Sequence, residues 1–185
     1  SEWKKFVHLC KTAPKSDIIV LVLTFVLTVM FDLVVAIEVG MVLAAMLFMK
    51  RMSEVTEVEG WKYIDDENDP DSISLREVPK NTMVYEISGP LFFGAADKIL
   101  SINLKEKANV LVLRMRSVTA LDATAMHSLE ELYTKCKKKQ ITLILSHVNE
   151  QPMRTMKKAG FDKMVGEENF CKHIDEALKR AEELQ

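Results

Sequence analysis

The chain has 185 residues and a net charge of −2, with 25 Lys and Arg against 27 Asp and Glu. It has no polybasic tract, so nucleic acid is not an expected partner; its three cysteines, Cys10, Cys136 and Cys171, are odd in number, too scattered for a metal pattern, and fit a reducing compartment. These averages conceal a division, because the first third is strongly apolar while the remaining roughly 125 residues are charged and mixed, enough for one hydrophobic core.

Residues 1–16 set Trp3, Phe6, Val7 and Cys10 at helical spacing among lysines, which predicts an amphipathic helix at the membrane interface, ended by Pro14, with His8 a surface or interfacial residue. Residues 18–49 then form a nearly unbroken apolar run. One helix through it would be ~48 Å long, well beyond the ~30 Å hydrocarbon layer. Two helices, 17–31 and 33–49, meeting near Asp32 are the economical reading. Lys4, Lys5, Lys11 and Lys15 before the run, and Lys50 and Arg51 after it, put both ends on the cytoplasmic side. Residues 17–51 are thus expected to be a transmembrane hairpin whose short helices need neighbours. Asp32 and Glu38 are costly in lipid; they read as carboxylates reaching headgroups or water near the hairpin tip, or alternatively as residues beside an ion path. A signal peptide does not fit, since no cleavage site and secreted domain follow in order. Two short membrane helices also make a poor bundle alone, so the sequence reads as a fragment of a longer polytopic protein.

Residues 52–72 are rich in Asp and Glu and read as an exposed acidic linker, with a strand expected only around 61–64. From residue 73 to 185 short strands alternate with helices. Segments 74–78 and 83–88, separated by Pro79, Lys80 and Asn81, read as an antiparallel pair. A helix over 95–105, a buried strand over 108–115, a helix over 122–139 and a second buried strand over 141–146 follow. A helix over 150–159 stopped by Gly160, an edge strand over 163–165 and an amphipathic helix over 170–184 complete the chain. The alternation predicts an α/β fold: a small mixed sheet, its strands largely parallel, with helices packed on it.

The junction after the first buried strand, residues 116–126 (RSVTALDATAM), is the most informative local site. Asp122 is placed as the helix N-cap and Thr124 in the first turn, where free N–H groups and the helix dipole favour an anion. A phosphate on Thr124 would be stabilised there, although the same residues serve equally as an ordinary cap and first turn.

Taken with the run FDLVVAIEVG at residues 31–40, EISGPLFFGAADK at 86–98 and ALDATAM at 120–126, the chain resembles the C-terminal part of a SulP-type anion permease: a last membrane hairpin followed by a STAS domain, the module shared with anti-sigma-factor antagonists. In those antagonists the matching loop reads D-S-S-G, with the second serine as phosphoacceptor. Asp122 matches the aspartate and Thr124 the acceptor, while Ala123 and Ala125 replace the serine and glycine. The resemblance implies a secondary active transporter of sulfate, bicarbonate or dicarboxylate, coupled to Na⁺ or H⁺. Its inverted-repeat bundle would bind the inorganic anion in helices outside this chain. It further implies partners in the remainder of the membrane domain and the lipid bilayer, a homodimer, a multi-pass location in the plasma (inner) membrane, and a cytoplasmic STAS domain that folds, assembles and regulates the permease. A nucleotide or regulatory protein on that domain would border the loop Gly89, Pro90, Leu91, Phe92, Phe93 and Gly94, although the loop lacks the spaced glycines and lysine of a phosphate-binding loop and reads equally as a packed turn. The alternative is a membrane-tethered STAS signalling module controlled by phosphorylation at Thr124. An enzyme has little behind it: His127 shares a helix face with Thr124 but no carboxylate completes the set, His147 and His173 lack neighbours at ligand spacing, and no metal or cofactor site is expected.

Overall fold

The computed structural model describes residues 14–30, 32–60, 72–92, 94 and 96–185, together with Lys4 and His8. The amphipathic helix expected over 1–16 and the strand expected around 61–64 lie almost wholly outside the described residues. The chain divides into two compact units, Ser1–Arg51 and Met52–Gln185.

In the first unit, α1 (Lys15–Met30) starts directly after Pro14, whose carbonyl accepts from Asp17 N at 2.9 Å, and Asp17 sits in the first turn where a negative charge suits the helix dipole. Asp32 separates it from α2 (Leu33–Val55), and the Asp32 carbonyl receives Ala36 N at 3.0 Å. The two helices meet along a heptad-like seam. Val20, Thr24 and Leu27 are half-buried, as are Gly40, Leu43 and Leu47, and Ala36 is fully buried. A side chain at Gly40 would place its Cβ 2.8 Å from Thr24 Oγ1, so the close approach depends on glycine. Arg51 closes the open end on Asp17 at 2.6 Å. The large apolar side chains point outward, with Phe25 68% and Val29 71% exposed. Residues 33–52 are long and apolar enough to cross a membrane, whereas the apolar part of α1, Asp17–Met30, is shorter. The second helix does not stop at Met49 as expected. Residues 50–55 contain neither Gly nor Pro, and a charge ends a membrane span without ending a helix.

The second unit is built on a five-stranded sheet in the order β1-β2-β3-β4-β5. The strands are β1 (Glu57–Gly60), β2 (Thr82–Ser88), β3 (Val110–Ser117), β4 (Thr142–Ser146) and β5 (Phe170–Cys171). β1 is antiparallel to β2, and β2 through β5 are mutually parallel. The helices are α3 (Ala96–Leu100), α4 (Ala123–Lys138), α5 (Glu150–Ala159), α6 (Phe161–Val165) and α7 (Ile174–Glu183). β3 and β4 read as continuous aliphatic runs because both faces of the sheet are covered. Leu111, Leu113 and Leu145 pack with Ile99 of α3 and Leu129 and Leu132 of α4 on one face. Val84, Val112 and Ile144 pack with Ile174, Ala177 and Leu178 of α7 on the other.

Further expectations need correction, and the helix expected over 95–105 already ends at Leu100. The antiparallel partner of β2 is β1, drawn from within the supposed acidic linker. Glu57 and Glu59 face solvent while Val58 turns inward, and charge on an exposed edge strand discourages further pairing. The expected strand 74–78 does not form; residues 73–75 make a 3₁₀ turn that buries Ile73 completely. Residues 163–165 belong to α6, because Gly160 in the left-handed region (φ 74°) turns the chain from α5 straight into another helical turn. The edge strand comes later, at β5, so the last helix begins at Ile174 rather than 170.

Candidate functional site

The C-terminal ends of the parallel strands bring the sequence-predicted residues together. Asp122 is the N-cap of α4, extended at φ −93° and ψ 177°, and its Oδ1 accepts from Ala125 N at 2.8 Å. Thr124 lies in the first turn and is exposed, with its carbonyl receiving the Ser128 hydroxyl at 3.3 Å. His127, on the same face, stands 3.6 Å from Glu130 and is largely solvent-exposed.

The loop after β2 is tied to this cap by backbone bonds. Leu91 N donates to Ala120 O at 2.8 Å, and Asp122 N donates to Leu91 O at 3.0 Å. Leu91 is completely buried, Phe92 half-buried and Gly94 exposed; Phe93 lies outside the described residues. Gly89 adopts φ 96°, and an added Cβ would come within 3.1 Å of Thr56 Cα. Thr56 donates its hydroxyl to Pro90 O at 2.6 Å, and Lys98 of α3 donates to the carbonyls of Thr56 and Glu54. Residues 89–91 are thus engaged in packing Thr56 and the α4 cap, leaving Phe92 and Gly94 as the outward part of the loop.

Two side chains that sequence reasoning missed staple the loop before the cap. Gln151 accepts from Leu121 N at 2.8 Å and donates to Leu121 O at 3.2 Å, like a short strand. Asn149 donates to Arg116 O at 2.9 Å and Val118 O at 2.7 Å. Nothing in their local spacing distinguishes them from ordinary polar residues opening a helix. A buried ion pair was missed as well: Glu86 on β2 holds Arg114 at 3.0 Å and Arg116 at 2.9 Å, with the Arg114 side chain at 0% exposure. The register Glu86↔Arg114 makes them cross-strand neighbours, and the only sequence signal is two arginines at the end of an aliphatic run.

Further titratable groups lie around α7 and inside the core. Arg76 forms a two-pronged pair with Asp175, one contact at 3.0 Å, and this hydrogen bonding holds the Asp175 carboxyl below its usual range. Burial in the core pushes the Cys136 thiol up to about 12 and raises that of Cys171. The structure brings His147 and His173 edge to face, with centroids 5.3 Å apart, yet among the described residues no group of three or more ligand-type side chains could hold a metal ion. Asp32 and Glu38, in the first unit, are both exposed. Chemically, the cap offers an exposed hydroxyl in the first turn of a helix whose N-cap bond is made by Asp122.

The family model for the STAS domain matches residues 73–177. The putative sulfate transporter YvdB of Bacillus subtilis is 33% identical over 164 residues, covering 87% of this chain and 30% of that protein. The bicarbonate transporter BicA of Synechocystis is 29% identical over 163 residues, covering 84% and 29%. The chain therefore spans about 30% of the length of these curated relatives. Among solved structures, a sulfate transporter family protein from Wolinella succinogenes is similar at 40% identity and a TM-score of 0.60, covering 63% of this chain and 98% of that one. The murine anion transporter Slc26a9 in its inward-facing state matches at a TM-score of 0.67 and 16% identity over 95% of this chain and 30% of that one, a likeness of fold.

Proposed function

Because this chain belongs to the STAS domain family, we propose that it is the C-terminal portion of a secondary active inorganic-anion transporter, in which the STAS domain folds, assembles and regulates the permease. The observation that carries this reading is the joining of an apolar helix hairpin to the STAS sheet in one chain. The similarity to YvdB is longer than residues 73–177 alone can supply, so it reaches outside the STAS match. Sulfate and bicarbonate, named for the relatives, head the candidate substrates, with dicarboxylate behind them and Na⁺ or H⁺ as coupling ion. The outward apolar side chains of α1 and α2 suit lipid and the remaining membrane helices. Lys15, Lys50 and Arg51 at the ends of the hairpin suit a multi-pass arrangement with the STAS domain on the cytoplasmic side of the plasma (inner) membrane.

The test is uptake of labelled sulfate, bicarbonate and succinate into proteoliposomes bearing the full-length parent protein, with and without Na⁺ and proton gradients. A version ending at Arg51 is run beside it. Uptake of one anion that falls in the shortened but folded protein supports both halves of the proposal. No uptake under any gradient overturns it.

Thr124 is the residue proposed to receive a regulatory phosphate, a reading supported by its exposure and its place in the first turn behind the Asp122 cap. Thr124→Glu in the transporting protein should change the uptake rate while Thr124→Ser leaves it unchanged; equal rates in all three forms would remove the assignment. The proposed homodimer is checked by the mass of the full-length protein in nanodiscs.

A further inference from the structure

Where β2 begins, at the opposite end of the sheet from Asp122, a cavity of about 410 Å³ opens between the strand and the loop that leads into β3. The seven residues of β2 separate the two ends by ~20 Å. Met83, Tyr85 and Ala108 line it as apolar residues, Asn81 and Asn103 as polar ones, and Lys105 and Lys107 as two cations. Of the three consecutive charged residues 105–107, only the lysines line the cavity; Glu106 does not. Both lysines are exposed, and among the described residues no hydrogen bond or ion pair holds either ammonium.

The walls are fixed from several directions. Asn81 takes the left-handed conformation (φ 57°), and its carbonyl accepts from Asn109 N at 2.9 Å and Val110 N at 3.4 Å. Lys105 N donates to Met83 Sδ at 3.4 Å, which lays the loop on the strand, and Thr82 Oγ1 receives Gln185 Nε2 at 3.3 Å. A concave site of this volume, lined by apolar residues together with a few polar and charged ones, has the character of a small-molecule site.

We propose that this cavity binds a small organic anion: one phosphate, sulfate or carboxylate group on a flat apolar body. The body lies against the Tyr85 ring and the Met83 thioether, both of which favour flat polarisable partners. The head is held by the Lys105 and Lys107 ammoniums, whose hydrogen bonds to an ionised acceptor are the stronger kind, and by the Asn81 and Asn103 amides. The site is independent of Thr124 and of the transport reading.

The experiment is fluorine NMR of fluorophenyl phosphate titrated with the full chain in nanodiscs of zwitterionic lipid, beside the double variant Lys105→Gln/Lys107→Gln and inorganic phosphate as competitor. Both lysines are exposed, so the variant keeps the fold; amide exchange across β3 and β4 checks this. Saturable broadening with the natural chain, weakened about tenfold in the variant, is the expected result. Inorganic phosphate should compete poorly, because it has no body to bury. Absence of saturable binding, unchanged binding by the folded variant, or competition by inorganic phosphate at equal strength would each overturn the proposal.

Discussion

The two units use the same apolar residue types to opposite ends. In the second, Leu111, Leu129 and Phe161 are 0% exposed and the sheet supplies its own interior. In the first, Phe25 and Val29 point outward, and the seam between the helices is only half-buried at Val20, Leu27, Leu43 and Leu47, closing completely at Ala36. Charges divide in the same way: Arg114 and Glu86 are sealed at 0% and 6% exposure, whereas Arg51 and Asp17 remain 44% and 45% exposed. One unit encloses its apolar side chains, the other turns them outward.

The charged pairs offer the sharpest way to break that contrast. Arg114→Met leaves Glu86 buried with one cation fewer, and should cost about 3–5 kcal/mol in chemical denaturation. Arg51→Met removes a pair that water and salt already screen, and should cost no more than about 1 kcal/mol. Comparable losses at the two sites would mean that burial does not set their worth.

Apolar truncation comes next in size. Leu129→Ala should destabilise the second unit by about 2–5 kcal/mol, through lost transfer energy and the cavity left under the sheet. Phe25→Ala removes a larger side chain, yet should leave the same denaturation midpoint unchanged in nanodiscs, because lipid fills the space. A clear loss for Phe25→Ala would show that α1 buries this face against protein of its own chain.

The features legible in the sequence are those written in local pattern. The paired apolar helices, the aliphatic strands β3 and β4 and the Asp122 cap all follow from residue types at fixed spacing. β1 was not legible, because Glu57-Val58-Glu59-Gly60 carries one apolar residue and sits in an acidic stretch; its strand character comes from pairing with β2. The same reason hid Gln151 and Asn149, which act on carbonyls and amides some 30 residues away. Residues 163–165 were misread as an edge strand, since a short apolar run fits a strand or a buried helical turn until Gly160 and Gly166 fix the turns on either side.

A smaller effect tests whether the second unit's advantage reaches its helix ends. Asp122→Ala removes the acceptor for Ala125 N and should cost about 1 kcal/mol, while Asp122→Asn, another good cap, should cost a few tenths at most. If the two variants lose equally, the charge rather than the cap is what matters there. Hydrogen exchange at residues 123–126 measures the difference directly, since a lost cap frays the first turn before it affects the sheet.

The smallest effect concerns Asp175, a surface group that behaves electrostatically like those of the first unit. The hydrogen bond from Arg76 lowers its carboxyl pKa, helped by the charges of Arg76 and the neighbouring His173, while its side chain stays 64% exposed. A folded-state value depressed below the unfolded one means that the pair contributes stability above the ordinary carboxylate value of ~3.9, and that this contribution disappears as pH falls through the lowered folded value. Solvent screening keeps it under about 1 kcal/mol. Asp175→Asn should therefore be slightly less stable than the natural chain at neutral pH, and the gap between the two denaturation curves should close only on acidification below about pH 4. A gap that closed instead near neutral pH would show that the Arg76–Asp175 pair does not set the difference.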